Sequence, residues 1–274
     1  MLRGETVVPG STVSCSEVRQ LCRVKVSHAN AVEGGHIMEH EVADSREAWE
    51  ANAVFWDAAM GDASYAFHRQ TVRPGVTDLL DPQPGDFVLD VACGNGNYAA
   101  YLAERGVDVL AFDFSPRMIE LARCRQERYT DRIEFVVADA TDADSLRSLA
   151  RARPFTKAVS NMAIMDIAVL DNLFDAVHRL LVEDGIFVFA TQHPCFVTRT
   201  ERYSTPHSYR GEAIPGQPQE HLYFHRSLQD IFEACFTHGF VIDGFRESCF
   251  AAEHEIPAVI IVRAHKVVSE RRLR

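Results

Sequence analysis

The stretch Val88-Leu-Asp-Val-Ala-Cys-Gly94-Asn-Gly96-Asn-Tyr-Ala99 constrains this chain more than any other. An apolar run reads as a short buried strand, the glycines as a tight turn, and the residues from Tyr98 as a helix. Gly94, Gly96 and Ala99 match G-x-G-x-x-G/A, a turn that lets a ligand come close to the backbone. Strand, glycine turn and helix in that order open an α/β unit.

The alternation continues downstream. The pattern predicts strands at Phe87–Ala92, Val107–Phe112, Ile133–Ala138, Lys157–Ser160 and Gly185–Thr191. Between them it predicts helices at Tyr98–Arg105, Pro116–Tyr129, Asp144–Arg151 and Val169–Leu181. Ser115 stands where an N-cap hydroxyl belongs, and Pro116 fits the first helical position. Strands and helices alternating at these lengths imply right-handed crossovers and a mostly parallel sheet. A helix at Ser227–Thr237 and strands at Phe240–Arg246 and Ala258–Ala264 follow, the last two as an antiparallel pair at the sheet edge. The expected fold is therefore α/β, a Rossmann-like doubly wound sheet.

Upstream, Trp49, Ala53, Trp56 and Met60 recur at helical spacing with Ser45 as cap, and a second helix is expected at Tyr65–Leu80. Residues 1–40 show no sustained period beyond a short helical stretch at Ser16–Val26 and read as a flexible arm. Glu33-Gly34-Gly35 can be encoded by the purine-rich codons of a ribosome-binding site, which makes Met38 an expected natural start. Three segments result: the arm at 1–40, N-terminal helices at 41–85, and a sheet domain at 86–274 with a cap insertion at 193–225. Gln192 to Arg226 carries no periodic pattern but several Pro and Gly residues, and a connection that long is usually functional.

Composition narrows the function. Lys plus Arg number 28 against 39 Asp plus Glu, a formal charge of −11, which disfavours a nucleic-acid partner. No apolar run has the length of a membrane span, so no membrane partner and a cytoplasmic setting are expected. The seven cysteines form no CxxC pair, the twelve histidines no HExxH motif, and His221 with His225 lacks a third ligand. No metal is expected.

The glycine turn by itself suits dinucleotides as well as other adenosyl ligands. An acidic set separates them. Asp90 lies just before the glycines, where a carboxylate opposes a pyrophosphate but favours a sulfonium or α-amino group. Asp113 ends the second strand, where it can accept from ribose hydroxyls, and Asp139 ends the third, where it can accept from an adenine amino group. Three carboxylates at successive strand ends describe an adenosyl ligand carrying positive charge.

VLDVACGNGNYAAYLAERG, VLAFDFSPRMIELAR, IEFVVADATD and LLVEDGIFVFATQHPCF resemble, in order, the motifs of class I S-adenosylmethionine (SAM)-dependent methyltransferases, nearest the bacterial small-molecule branch. The likeness runs from about Trp49 to Ala264. It implies a seven-stranded sheet of order 3-2-1-4-5-7-6 with the last strand antiparallel. It also implies SAM as cofactor, S-adenosylhomocysteine as product, and a small-molecule acceptor, secondary metabolite or quinone-like, methylated on O, N or C.

Carried over residue by residue, Asp90 with Ala92, Cys93, Gly94, Asn95 and Gly96 would hold the methionine end. Asp113, Phe114 and Ser115 would take the ribose, Met118 would pack on adenine, and Asp139 and Ala140 would meet its edge. Asn161 and Met162 would pass beneath the sulfonium. His193, leaving the fifth strand, is the candidate base, since an imidazole can accept a proton from a substrate hydroxyl, amine or acidic carbon. Trp56, His68, Phe196, Tyr203 and Tyr209 are the candidate acceptor contacts, and the aromatic and Arg-bearing loop around them (Arg199, Arg202, Arg210) is read as a cap. The N-terminal helices also offer a surface for a homo-oligomer. A SAM-fold protein that binds the cofactor as a cyclase or regulatory module, without methyl transfer, is the rival reading. A dinucleotide oxidoreductase and a tRNA or protein methyltransferase fit the acidic set and the net charge less well.

Overall fold

A computed structural model describes residues 39–198, 200–250 and 255–267. The Ser16–Val26 helix, Met38 as a start, nearly all of the 1–40 arm, and Arg199 lie outside the described residues. The strands are β1 Phe87–Val91, β2 Asp108–Asp113, β3 Ile133–Val137, β4 Phe155–Asn161, β5 Leu181–Gln192, β6 His207–Gly211, β7 His221–His225, β8 Phe240–Cys249 and β9 Pro257–Lys266. The α-helices are α1 Glu39–Met60, α2 Arg73–Leu80, α3 Asn97–Ala103, α4 Pro116–Arg125, α5 Ala143–Arg147, α6 Asp171–Leu180 and α7 Leu228–Thr237.

Seven strands form one sheet in the order β3-β2-β1-β4-β5-β9-β8. With the separate β6–β7 pair set aside, this is the expected order 3-2-1-4-5-7-6. β9 runs antiparallel to both β5 and β8, and the other sheet pairings are parallel. The two-residue period of a strand explains the layering. Leu89 and Val91 join a core with α6 and α7, while Val88 joins a second core with α2, α3 and α4. Both faces are covered, so the central strands are largely apolar, with Asp90 of β1 and Ser160 of β4 as buried polar exceptions.

Helix starts follow their caps. Ser115 Oγ accepts from Met118 N at 3.0 Å, and Ser227 with Asp230 forms a reciprocal capping box on α7.

The structure departs from expectation in several places. Ser45 is not a cap: α1 begins earlier, and Ser45 lies inside it with its hydroxyl donating to the carbonyl of Asp166 at 3.4 Å. The second N-terminal helix contains a π turn at His68–Val72 before α2. The helix expected to reach Tyr129 stops at Arg125, a 3-10 turn at Glu127–Tyr129 completing it. Gln192 to Arg226 holds the antiparallel hairpin β6–β7.

That hairpin is fastened to α1. Arg210 pairs with Asp44 at 2.7 Å, Ser208 donates to Glu41 at 2.5 Å, and Asn52 exchanges hydrogen bonds with the backbone of Gln219 at 2.7 and 2.9 Å. On its other flank α1 is held to α4 by a two-pronged ion pair, Arg125 to Asp57, both contacts 2.7 Å. Asp57 also accepts from Asn95 in the glycine turn at 3.1 Å. α1 is thus braced from the hairpin on one side and from α4 and the turn on the other.

Candidate functional site

A cavity of about 1190 Å³, counted out to its open mouth, lies among residues at the carboxyl ends of β1, β2 and β4, the regions after β3 and β4, α1 and the π turn. Ligand sites in open α/β sheets form at these strand ends. Two non-glycine residues on its wall that directly follow strands, Ala92 and Met162, have φ of 52° and 53°. Each sits in the left-handed region disfavoured by its Cβ, at a cost of about 1 kcal/mol, where β1 and β4 give way to loops. Gly96, φ 74°, serves the turn from behind. A Cβ there would meet Phe135 at 2.6 Å.

The three strand-end carboxylates meet in this cavity. Asp90 is 1% exposed and its Oδ2 has no hydrogen-bond partner. Burial, with the charge of Asp113 second, pushes its carboxyl up to about 8. Asp113 accepts from the Gly94 and Ser115 amides, both at 3.0 Å, binding the glycine turn to the start of α4. Burial raises it to about 6 against those same amides, which favour the charged form. Asp139 accepts from the Thr141 amide at 2.8 Å and hydroxyl at 2.7 Å, and pairs with Arg46 of α1.

The facing wall is aromatic. Trp49 and Trp56 meet edge to face at 5.0 Å, and Trp56 meets His68 likewise at 6.2 Å. Behind Trp49 the His221 ring stacks at 3.9 Å, so the hairpin backs this indole. Burial, helped by the charge of Arg73, lowers His68 to about 4, so its imidazole is neutral at pH 7. The π turn that presents His68 is a local departure from the α-helix, a feature frequent at functional sites.

Of the residues expected from the sequence, Trp56, His68, Asp90, Ala92, Cys93, Gly94, Asn95, Asp113, Phe114, Asp139, Ala140, Asn161 and Met162 line this one cavity. Gly96, Ser115 and Met118 do not line it: Ser115 caps α4, and Met118 is 1% exposed in the fold.

His193 is a correction. Its ring is buried off the cavity wall, Nε2 2.8 Å from Glu247 Oε1 and Nδ1 accepting from the Cys195 amide at 3.2 Å. The antiparallel β9 continues beside β5 as far as Gln192, which carries His193 toward β8 rather than toward the cavity. Phe196, Tyr203 and Tyr209 are corrected for a related reason. Phe196 packs on His193 at 4.6 Å, the Tyr203 hydroxyl accepts from Leu228 N at 2.9 Å, and the Tyr209 hydroxyl donates to Gln192 at 2.8 Å. The cap residues knit the hairpin to the sheet and to α7, and none of these three lines the cavity.

Sequence reasoning missed Asp166, on the 3-10 turn Ile164–Asp166 after β4. It lines the cavity, its Oδ1 lacks a partner, and the Trp49 indole donates to its carboxylate. Burial chiefly, with the charge of Asp113 adding to it, holds this carboxyl well above the usual range, against the pull of the indole. The signal was available: a lone carboxylate in the otherwise apolar run from Met162 to Leu170, directly after a strand's carboxyl end. Among the described residues no cluster of His, Cys, Asp and Glu is arranged to hold a metal ion, and no helix is long and apolar enough to cross a membrane.

Residues 88–185 match the family described as a methyltransferase domain. The chain is 45% identical over 73 residues to the demethylmenaquinone methyltransferase of Clavibacter sepedonicus, covering 27% of this chain and 29% of that protein. It is 26% identical over 141 residues to a protein named as a methyltransferase in Geobacillus sp. (strain WCH70), covering 52% of this chain and 56% of that one. The chain thus spans less than two thirds of the length of these curated relatives. Among solved structures, the 1,6-didemethyltoxoflavin-N1-methyltransferase of Burkholderia thailandensis, with 1,6-didemethyltoxoflavin and S-adenosylhomocysteine bound, superposes with a TM-score of 0.60 at 20% identity. That match covers 86% of this chain and 94% of that one. Residues 88–185 thus resemble a methyltransferase domain, and the chain shares its fold with solved SAM-dependent methyltransferases.

Proposed function

We propose that this protein is a SAM-dependent methyltransferase whose acceptor is a small molecule. The observation that carries the reading is Asp90: a carboxylate 1% exposed, with an oxygen lacking a partner, in the same cavity as Asp113 and Asp139. Such a group is expensive to bury and gains most from a cationic ligand. It would repel the pyrophosphate of a dinucleotide. SAM, when bound, supplies a methyl group on a sulfonium that needs no further activation.

The residues present fit that ligand. Asp90 would receive positive charge at the methionine end, with the Ala92–Asn95 turn beside it. Asp113 would accept from the ribose hydroxyls, and Phe114, Asp139 and Ala140 would frame the adenine.

The chain's remaining task is placement and exclusion of water. α1 supplies both, because Trp49 and Trp56 line the cavity together with the carboxylates. A small acceptor would lie between these indoles and the cofactor. A helix braced over the site, as α1 is, suits such an acceptor better than a polymer.

Calorimetry with SAM, S-adenosylhomocysteine and NAD, followed by transfer of labelled methyl from SAM across a panel of small acceptors, tests the proposal. Binding of the adenosyl ligands, not of NAD, together with labelled product supports it. Saturable binding with no labelled product across the panel would favour the non-transferring reading.

A further inference from the structure

Two polar side chains on the cavity wall carry buried atoms with no partner. Asp166 leaves Oδ1 buried and unbonded, and Asn161 leaves both its amide nitrogen and its amide oxygen so. Both residues line the cavity together with Trp49 and Trp56. A carboxylate kept only for structure would have its oxygens satisfied within the protein.

The turn that presents Asp166 is held rigidly. Arg226, half-buried, donates to the carbonyls of Ile164 at 3.3 Å, Ile167 at 2.7 Å and Ala168 at 2.6 Å. Ser45 and Trp49 of α1 hold the same residue from the other side, at its carbonyl and its carboxylate. A recognition group is more precise when its backbone is locked by neighbours in this way.

Charge on the wall narrows what can bind. Asp90, Asp113, Asp139 and Asp166 contribute carboxylates, and Arg73 is the only Arg or Lys lining the cavity among the described residues. Its guanidinium is already engaged with the Ala63 carbonyl at 3.3 Å and the Ser64 hydroxyl at 2.7 Å, and lies 4.9 Å from the Tyr101 ring centre. An anionic acceptor finds no free cation here. A flat aromatic body suits the paired indoles, which favour stacked and edge-to-face contacts.

Resting on the methyltransferase reading, we propose that Asp166 and Asn161 form the acceptor-recognition pair. Asp166 takes a hydrogen bond from an O–H or N–H of an uncharged, flat aromatic acceptor lying against Trp49 and Trp56.

Calorimetry on the full chain saturated with S-adenosylhomocysteine tests this with three probes: 2-naphthol, 2-methoxynaphthalene and 2-naphthoate. The expected result is naphthol binding about tenfold tighter than its methyl ether, the scale of one buried hydrogen bond, with naphthoate weaker still. Asp166→Ala should erase the naphthol-over-ether preference, and the milder Asp166→Asn should admit naphthoate, both keeping S-adenosylhomocysteine affinity within about twofold. Equal binding of naphthol and its ether by the native chain, or no binding of naphthol, overturns the proposal. So does a preference that survives Asp166→Ala, or a loss of S-adenosylhomocysteine binding in both variants, which would place Asp166 in the cofactor half. If the native chain binds no S-adenosylhomocysteine, the methyltransferase reading itself fails, and the probe series, run without it, still decides the acceptor pair.

Discussion

The two halves of the cavity are built in opposite ways. In the carboxylate half, the side chains of Asp90 and Asp113 belong to neighbouring strands, and Asp139 follows the next, their spacing fixed by backbone ladders. In the indole half, Trp49, Trp56 and His68 come from α1 and a π turn, and their places depend on contacts far away in sequence. Asp57–Arg125 spans 68 residues, and Arg210–Asp44 spans 166. A half that rests on a sheet ladder can lose a side chain and keep its shape, whereas a half assembled from braces depends on each brace.

The largest effect should come from distorting the ladder end itself. Gly96→Ala forces a side chain into the left-handed region and against Phe135, and should destabilise the fold by about 2–3 kcal/mol, read from the urea midpoint at constant slope. A shift under half that size would mean the glycine turn is more yielding than the sheet beneath it.

Asp113→Ala should come next. It strips two buried amides of their acceptor as well as removing the proposed ribose contact, and should weaken S-adenosylhomocysteine binding by about 1–3 kcal/mol in calorimetry. Unchanged affinity would detach Asp113 from the cofactor.

Proton linkage should be smaller but specific to Asp90. In the ligand-free fold this carboxyl titrates near 8, against 3.8 as its ordinary value. Between those pH values the folded chain holds a proton that the unfolded chain has lost, so this group's contribution to stability falls as pH rises through the window. A cationic ligand favours the ionised form, so binding of SAM at pH 7 should release a proton and tighten as pH rises toward 8. Calorimetry in two buffers of different ionisation enthalpy measures the release, and Asp90→Asn should abolish it.

His193→Ala should have the least effect on the site. With the ring held by Glu247 off the cavity wall, turnover and cofactor affinity should stay within about twofold, the cost falling on thermal stability instead. A turnover loss above about tenfold would restore the base role and join the region after β5 to the chemistry.

The same contrast explains what could be read in advance. Asp90, Asp113 and Asp139 were legible because each follows a local rule: an apolar run of strand length, then a turn, then a capped helix. Ala92 and Met162 came with the strand ends. His193 was misplaced because its position after β5 is a local fact, whereas the direction in which it leaves is set by β9, which pairs with β5 from some 70 residues later in the chain. Tyr203 and Tyr209 looked like an acceptor cap because their aromatic rings and hydroxyls suit a ligand equally well as a hairpin. Nothing nearby in sequence states that the Tyr209 hydroxyl will find Gln192. Asp166 carries no motif, and only its burial beside Trp49 marks it out.

By itself the sequence determined the alternation of strands and helices through β5, the glycine turn and the row of acidic strand ends, because these rest on residue spacing within about 30 positions and on short-range sterics, while the strand order came from the family resemblance. The tertiary structure alone decided which aromatic residues face the ligand, where the imidazoles of His68 and His193 go, and that Asp166 is left with an open oxygen. Those outcomes depend on long-range packing of α1 and the β6–β7 hairpin, whose ion pairs and stacked rings close only after the sheet exists to hold them.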